Sequence, residues 1–554
     1  MAVIAARYRL PSGRAVGGAS PGGLDVAISD RLRDAMDRRR FINTAWTTAT
    51  AATAMALIPG DDLFAKAIGA DPFTLGVASG DPTPTGAVLW TRLAPDPLFG
   101  GGMKDQTVRV GWRVARDEAM RDVVASGKAM ATPALAHSVH VEVEGLTPGR
   151  DYFYQFDYRQ DESPVGHFRT APSAAERLKK LEFAVLTCQA WQDGFYTVLR
   201  DVAAQDLDVV FHLGDYLYEY DPRTNKRGVV LPDRFAGETA SLTRYRDQHA
   251  LYKTDPDLQL AHKNHAFVVI WDDHEVQNDY SGKFPEYDNM PLDVFLARRA
   301  NAYQAYYEHM PLRLPPKGAN NRLKIYRSLQ FGDLAEFVML DTRQYRSDNP
   351  CGDGESLRCD AAYDYRVQML GTAQEQWLSR QLFAKRARWT FVTQGLLMAE
   401  LDHDIGPGKR FWNDAWDGFP SARDRVFRDI QASGARNPVV LTGDWHSTFV
   451  NDLKLRFKDQ NAPVLATEFV TPAITSGGDG TPYGPYYGPM IPTNPHIKYY
   501  EGDKRGYFRM TLTPAMLHAR LRFASKVEAP DGTVSLAERF VVLDGQPGAV
   551  RDGA

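Results

Sequence analysis

The sequence predicts an α/β fold in which a small all-β domain precedes a layered α/β domain. Two patterns support this prediction. Between residues 71 and 171, apolar residues recur with a period of two, most clearly over residues 108–114 and 138–144, as expected for half-buried strands. Beyond residue 180, short apolar runs alternate with amphipathic stretches, which is typical of buried strands connected by helices. At 554 residues, the chain can hold a leader and two domains.

The first domain, residues 71–173, is expected to be an immunoglobulin- or fibronectin-like sandwich. Residues 73–81 and 87–91 predict two further short strands. The string Leu146-Thr-Pro-Gly-Arg-Asp-Tyr152 predicts a turn that enters a strand, with a tyrosine at the corner, as in small β-sandwiches. Taken alone, such a domain indicates a structural or binding module.

The second domain, residues 180–554, is expected to carry the functional site. Its predicted strands are short buried runs at residues 181–186, 209–213, 267–271, 337–340, 389–392 and 439–441. The clearest helical pattern covers residues 372–385. In layered α/β domains, functional side chains lie at the carboxyl ends of the strands.

Residues 1–70 are expected to be an export leader with extra sequence before it. Arg38-Arg39-Arg40-Phe41 precedes a mildly apolar run at residues 44–58, a pattern that resembles a twin-arginine signal. The alternative is an ordinary basic helix start followed by an Ala/Thr-rich helix. The run is too short and too rich in threonine for a stable membrane span. The signal implies the twin-arginine export machinery as a partner and a periplasmic or secreted location.

Charge and cysteine content narrow the function classes further. The formal net charge is −4, and no Lys/Arg run outside the leader offers a basic surface, so a specific nucleic-acid reader is not expected. Cys351 and Cys359 are eight residues apart, a span that a disulfide can close. Cys188 is then left over, either as a buried small apolar side chain or as a ligand.

Four predicted strands end in clusters of acid, histidine, tyrosine or thiol side chains. These strings are Leu-Thr-Cys188-Gln189, Gly-Asp215-Tyr-Leu-Tyr218-Glu219, Trp-Asp272-Asp273-His274-Glu275 and Gly-Asp444-Trp-His446. A single acid at a strand end commonly caps the following helix. Four such ends in one domain favour a metal site over a set of caps.

These strings resemble the calcineurin-like metallophosphoesterase superfamily, and the fuller pattern resembles its PhoD-type alkaline phosphatase family. The strings at residues 76–81 and 340–348 and Asn494-Pro-His-Ile add to the match, which runs from about residue 72 to the end. The resemblance implies a small N-terminal β domain, a four-layer αββα catalytic domain, and a site that holds iron with calcium, as Fe³⁺ and Ca²⁺.

The resemblance also implies a ligand set. Asp215 is the expected bridging carboxylate, and Tyr218 resembles a phenolate ligand, which favours ferric iron. Cys188 resembles the family's thiolate iron ligand. Asp273 stands where the wider superfamily has asparagine, a change that suits calcium. The expected metal ligands are Cys188, Asp215, Tyr218, Asp273, Asn278, Asp444 and His446.

The expected catalytic residues are His274, Asp215 and Arg343. His274 is expected to protonate the leaving oxygen or to bind the phosphate. Arg343 and Arg346 follow a predicted strand, where they form either a phosphate clamp or part of an ion-paired surface loop.

The expected function is that of an exported, metal-dependent alkaline phosphatase. It hydrolyses small phosphate monoesters, with diesters as a further substrate class, by attack of a metal-activated oxygen nucleophile. No serine stands in a nucleophile-elbow pattern, which favours a one-step displacement. Two alternatives remain: a phosphodiesterase or phospholipase D with the same metal site, and a non-enzymatic binding module with a degenerate α/β domain.

Overall fold

The computed structural model describes residues 71–286, 289–318 and 321–552. The predicted export leader, residues 1–70, lies outside the described residues. Strands dominate the described part of the chain. In chain order they are β1 (Val77–Thr83), β2 (Gly86–Arg92), β3 (Val108–Ala115), β4 (Val123–Ala131), β5 (Ser138–Val143), β6 (Asp151–Tyr158), β7 (Asp161–Glu162), β8 (Gly166–Arg169), β9 (Leu181–Leu186), β10 (Val209–Leu213), β11 (Ala266–Ile270), β12 (Arg327–Phe331), β13 (Ala335–Met339), β14 (Glu355–Ser356), β15 (Trp389–Gln394), β16 (Phe411–Trp412), β17 (Pro438–Thr442), β18 (Thr448–Leu453), β19 (Ala466–Val470), β20 (Ile497–Glu501), β21 (Gly506–Leu512), β22 (Met516–Ala524), β23 (Val534–Leu543) and β24 (Gln546–Arg551).

Helices connect many of these strands. They are α1 (Thr197–Ala203), α2 (Leu242–Lys253), α3 (Pro256–Asn264), α4 (Leu292–His309), α5 (Thr372–Ala384), α6 (Pro420–Ser433) and α7 (Gly484–Tyr487). Local sequence explains two of the starts: the Ser241 side chain caps α2, and the Asp255 side chain caps α3, which begins with a proline. Within the described ranges, none of the helices has the length and apolar character needed to cross a membrane.

Two large sheets organise the fold. The first has ten strands in the order β24-β23-β22-β21-β9-β10-β11-β1-β2-β5, and the second has seven in the order β12-β13-β15-β17-β19-β18-β20. The β9, β10 and β11 strands are parallel neighbours, as are β13, β15, β17 and β19. The predicted strand at residues 181–186 and the predicted helix at residues 372–385 are confirmed, the helix to within one residue.

Alternate residues of the second sheet face different apolar layers. Phe337 and Phe391 belong to the cluster that contains Phe183 of the first sheet, and the Phe183 and Phe337 ring centroids are 5.1 Å apart. Val338 and Val392, one residue further along, belong to a cluster with side chains of α5 and α6. Because strand side chains alternate between faces, the second sheet packs against the first sheet on one face and against helices on the other.

The N-terminal strands differ from the sequence prediction, which assigned all of them to one separate sandwich. Only β3, β4, β6, β7 and β8 form a five-stranded sheet of their own. The β1, β2 and β5 strands extend the ten-stranded sheet, because β1 pairs in parallel with β11 through Ser79 opposite Ala266. Pairing with a strand almost two hundred residues away leaves no trace in local periodicity.

A two-layer sandwich nevertheless exists at this end of the molecule. Val110 and Tyr154 of the small sheet share an apolar cluster with Leu89 and Val141 of the large one. The predicted tyrosine corner is present, since the Thr147 N–H donates to the Tyr152 hydroxyl at 3.0 Å. One sheet therefore serves both the sandwich and the α/β layers.

Candidate metal centre

The side chains of the predicted site come from turns that directly follow strands. Cys188 follows β9, Asp215 follows β10, and Asp444 and His446 follow β17. All four have a left-handed backbone, with φ of 57°, 54°, 59° and 53°. Non-glycine residues in this region are strained, and such strain concentrates at functional sites. The turns therefore place these side chains beside the carboxyl ends of strands from both sheets.

A first group combines four kinds of donor atom around Asp215. The Cys188 thiol donates to Asp215 Oδ2 at 3.3 Å, and the Tyr218 hydroxyl donates to the same oxygen at 3.0 Å. His446 Nε2 lies 2.9 Å from the Tyr218 hydroxyl oxygen. Ligand atoms of Cys188, Asp215 and His446 all lie within 4.8 Å of one another. Thiol, carboxylate, phenol and imidazole therefore converge on one point.

Two further groups continue from this one through shared carboxylates. Asp215, Asp273 and His274 form the second group, and Asp272, Asp273 and Asp444 form the third, each with ligand atoms within 4.8 Å. Asp215 belongs to the first and second groups, and Asp273 to the second and third. A carboxylate shared in this way can bridge two cations.

The electrostatics of the cluster favour bound cations. Burial raises the pKa of Asp215 to about 8; His274 opposes this shift and Asp273 adds to it. Burial and the adjacent carboxylates also raise the pKa of Asp444 well above its ordinary value. Asp215 Oδ1 and Asp444 Oδ2 are buried without a hydrogen-bond partner. A cation neutralises the charge and supplies the missing partner, so these residues fit a metal site.

Arg343 is buried and ion-paired. Its side chain is completely buried; Nε and Nη2 donate to the two Asp272 oxygens at 2.8 and 3.1 Å, and Nη1 donates to Asp414 at 2.8 Å. Nη2 is also 3.3 Å from Asp273. Arg346 pairs with Asp414 at 2.6 Å. Arg343 thus compensates buried carboxylates instead of lying on a surface loop, and its part as a phosphate clamp stays a prediction.

Family models and known relatives match most of the chain. The family model described as PhoD-like phosphatase matches residues 183–521, and the model of the PhoD-like phosphatase N-terminal domain matches residues 56–172. Alkaline phosphatase D of Bacillus subtilis (strain 168) is 41% identical over 518 residues, which cover 92% of this chain and 88% of that protein. A solved structure of PhoD matches with a TM-score of 0.83 at 40% identity, covering 90% of this chain and 94% of that one.

The chain belongs to the PhoD-like phosphatase family. The resemblance inferred from the sequence is thereby confirmed, and as a family member the chain is a phosphoric ester hydrolase. Most of the predicted site residues of this PhoD-like phosphatase are brought together: Cys188, Asp215, Tyr218, Asp273, His274, Asp444 and His446.

Asn278 lies beside this cluster. Its backbone N–H donates to Glu219 at 2.8 Å, which fixes it in the turn that follows Asp273 and His274. Its side-chain nitrogen donates to Glu286 at 3.0 Å. Its part as an oxygen ligand stays a prediction.

Two glutamates that sequence reasoning left without a role support the centre. Glu219 is fully buried and accepts from His274 Nδ1 at 2.8 Å. Although burial alone lowers the pKa of His274, the carboxylates of Glu219, Asp273 and Asp215 together raise it well above its ordinary value, with Glu219 the largest of the three. Glu275 accepts from the backbone N–H groups of Asp215 and Tyr216, at 3.2 and 2.6 Å. Both lie inside the strand-end strings, but only their partners distinguish them from helix caps.

The three cysteines divide as their spacing predicts. Cys351 and Cys359 are disulfide-bonded, with Cα atoms 5.6 Å apart, and Cys188 is a buried free thiol. Burial and Asp215 raise the pKa of that thiol well above its ordinary value. A thiol buried in this way is not a surface nucleophile, and its part as a cation ligand stays a prediction.

Proposed function

We propose that the chain is an exported, metal-dependent alkaline phosphatase that hydrolyses phosphate monoesters with Fe³⁺ and Ca²⁺. The observation that carries this proposal is the convergence of Cys188, Tyr218 and His446 on Asp215. The third ligand group, in contrast, consists only of the carboxylates Asp272, Asp273 and Asp444. Phenolate, thiolate and imidazole donors favour iron, whereas oxygen donors favour calcium. The two sheets and their flanking helices support a four-layer αββα catalytic domain.

The enzyme's own residues divide the work of hydrolysis. When bound, the cations stabilise charge on the phosphoryl oxygens and lower the pKa of the attacking water. Asp215 and Asp273, each shared by two ligand groups, would hold the cations. Glu275 fixes the Asp215 turn. Arg343 offsets the mutual repulsion of three buried carboxylates, because it pairs with Asp272, Asp273 and Asp414.

His274 is the proposed general acid. Glu219 Oε2 accepts a hydrogen bond from the Nδ1–H group of His274 at 2.8 Å, which keeps a proton on Nδ1. Nε2 is therefore the nitrogen that donates to the leaving oxygen. The Tyr218 ring lies 4.1 Å from the His274 ring and limits its rotation. The carboxylate stabilises the protonated ring, so a proton is ready when the P–O bond breaks.

The enclosure of the site supports monoesters as substrates. Asp215 and Asp273 are at most 1% exposed, and His274, Asp444 and His446 are at most 9% exposed. A terminal phosphoryl group can enter such a site with only one substituent outside it. The phosphorus of a diester carries substituents on two sides and needs a wider opening.

A comparison of two chromogenic substrates tests the proposed function. We expect p-nitrophenyl phosphate to be cleaved faster than bis-p-nitrophenyl phosphate, because the enclosed site admits a terminal phosphoryl group. Chelation should remove the activity, and calcium added to iron-containing enzyme should restore it. Preferential cleavage of the diester would favour a phosphodiesterase or phospholipase D. Activity that survives complete removal of metal would contradict the metal-dependent mechanism.

Glu219→Gln tests the assignment of the general acid. We expect kcat for an alkyl phosphate to fall about 100-fold, since the amide no longer stabilises protonated His274. Hydrolysis of p-nitrophenyl phosphate should fall much less, because p-nitrophenolate leaves without a proton. The measurement is the ratio of kcat for the two substrates.

A buried glutamate elsewhere provides the control. Glu308 has a fully buried side chain and pairs with Arg246 at 2.5 Å, outside the centre. Glu308→Gln should lower stability but leave the ratio of the two kcat values unchanged. Equal losses on both substrates in Glu219→Gln would argue against proton donation by His274.

We include export by the twin-arginine machinery in the proposal, on the strength of Arg38-Arg39-Arg40-Phe41. In a bacterial host that has this machinery, the double variant Arg38→Lys/Arg39→Lys should leave phosphatase activity in the cytoplasmic fraction, because the pair is the recognised address. Arg40→Lys changes the same basic run outside the pair and should export normally. Undiminished export of the double variant would remove this part of the proposal.

A further inference from the structure

The loop that follows β19 is fixed to the turn that carries Cys188. The backbone N–H groups of Ile474, Thr475 and Ser476 all donate to the Cys188 carbonyl, at 3.2, 3.3 and 3.3 Å. Ile474 N–H also donates to the Thr187 carbonyl at 3.0 Å. Three donors on one carbonyl define the loop's position without any side chain. These backbone hydrogen bonds therefore hold Ser476 close to Cys188.

The Ser476 hydroxyl reaches from this loop into the first ligand group. It is 1% exposed, and its oxygen lies 2.7 Å from the Tyr218 hydroxyl and 2.9 Å from the Cys188 carbonyl. It also accepts from the Ala190 N–H at 3.3 Å. A hydroxyl carries one proton, so it can donate to only one of its two acceptors at a time.

We propose that Ser476 is a positioning residue that donates its hydroxyl proton to the Tyr218 oxygen when that oxygen ligates a cation. This inference rests on the proposed function. The competing acceptor, the Cys188 carbonyl, already receives three N–H groups, whereas a coordinated phenolate carries negative charge and is the stronger acceptor. The other polar neighbours of the Tyr218 oxygen, Asp215 and His446, are themselves candidate ligands.

This hydrogen bond has two consequences for the centre. It fixes the direction of the ligating lone pair of Tyr218, because Ser476 is held on a rigid loop. It also withdraws electron density from the phenolate oxygen, so that the cation remains a stronger Lewis acid toward phosphate. Ser476 acts through Tyr218 and does not touch substrate.

The test uses the full chain loaded with ferric iron and calcium. Without the hydrogen bond, the Tyr218 phenolate is a stronger electron donor, so the visible phenolate-to-iron charge-transfer band of Ser476→Ala should move to longer wavelength. Loss of iron to a chelator should become about ten- to a hundred-fold faster, because Tyr218 is no longer held in its ligating orientation. Ser476→Thr retains a hydroxyl and should restore both properties toward those of the wild type.

The adjacent residue provides a matched control. Thr475 is buried, and its hydroxyl donates to the Ala190 carbonyl at 2.8 Å instead of to a ligand. Thr475→Val should leave the absorption band and iron retention unchanged, even where thermal stability falls. A wild-type band and wild-type iron retention in Ser476→Ala, or equal changes in Thr475→Val, would overturn the proposal. A wild-type protein that binds no iron would instead contradict the cofactor assignment and with it this inference.

Discussion

Asp215→Asn is expected to lower kcat/KM for phosphate monoesters about 1000-fold, a loss of roughly 4 kcal/mol of transition-state stabilisation. Asp215 is shared by two of the three ligand groups, so an amide in its place weakens both at once. The backbone tolerates the change, because φ is 54° at this position and asparagine accepts left-handed geometry better than most residues. Steady-state kinetics together with iron and calcium content measure the effect.

The melting temperature of Asp215→Asn should respond to metal differently from that of the wild type. In the metal-free protein, Asp215 is a buried acid with one unpartnered oxygen, and burial raises its pKa to about 8. Replacement by a neutral amide should therefore leave the melting temperature of the metal-free form equal or higher. The rise in melting temperature on adding cations should be much smaller than in the wild type.

Asp81→Asn is the matched control for Asp215→Asn. Asp81 also has a positive φ, of 45°, and is 6% exposed. It pairs with Arg327 at 2.6 Å and lines a separate cavity of about 580 Å³. This variant should lose stability but keep its metal content and its activity per folded molecule. Full activity in Asp215→Asn, with both metals retained, would refute the bridging role.

Arg343→Leu is expected to destabilise the protein by about 3–5 kcal/mol, because it leaves buried carboxylates without their cation. Asp272 loses a two-pronged partner, and Asp414 and Asp273 lose an ion pair each. Calcium should recover part of the loss, since a divalent cation compensates the same charges. Denaturant unfolding with and without calcium measures both effects.

Two comparisons separate this role from that of a phosphate clamp. Arg366 pairs with Asp364 at an exposed site, so Arg366→Leu should leave the unfolding midpoint unchanged. Arg343→Lys retains a cation but not the planar fork, and should show intermediate stability. A stable Arg343→Lys variant whose only defect is a raised KM would restore the phosphate clamp that the sequence suggested.

Local pattern predicted six buried strands and one helix of the second domain, but not β12 or the strands from β18 to β24. Runs such as residues 181–186 and 209–213 are buried on both faces, so they are mostly apolar, with Glu182 and His212 as the polar exceptions. A mostly apolar run of this length is recognisable from the sequence alone. The assignment of β1, β2 and β5 to a separate sandwich was wrong, because strand pairing depends on distant parts of the chain. Local pattern predicts that all of them are strands, but β11, with which β1 pairs, lies far along the chain.

The sequence alone determined the family and indicated the candidate ligands, because each strand-end string is local and keeps its order whatever surrounds it. The tertiary structure decided which side chains support those ligands. Arg343 reaches Asp272 across 71 residues, Glu219 reaches His274 across 55, and Ser476 reaches Tyr218 across 258. The function of an arginine, a glutamate or a serine depends on its partner. Such partners meet only when separate strand ends are brought to one edge of the two sheets.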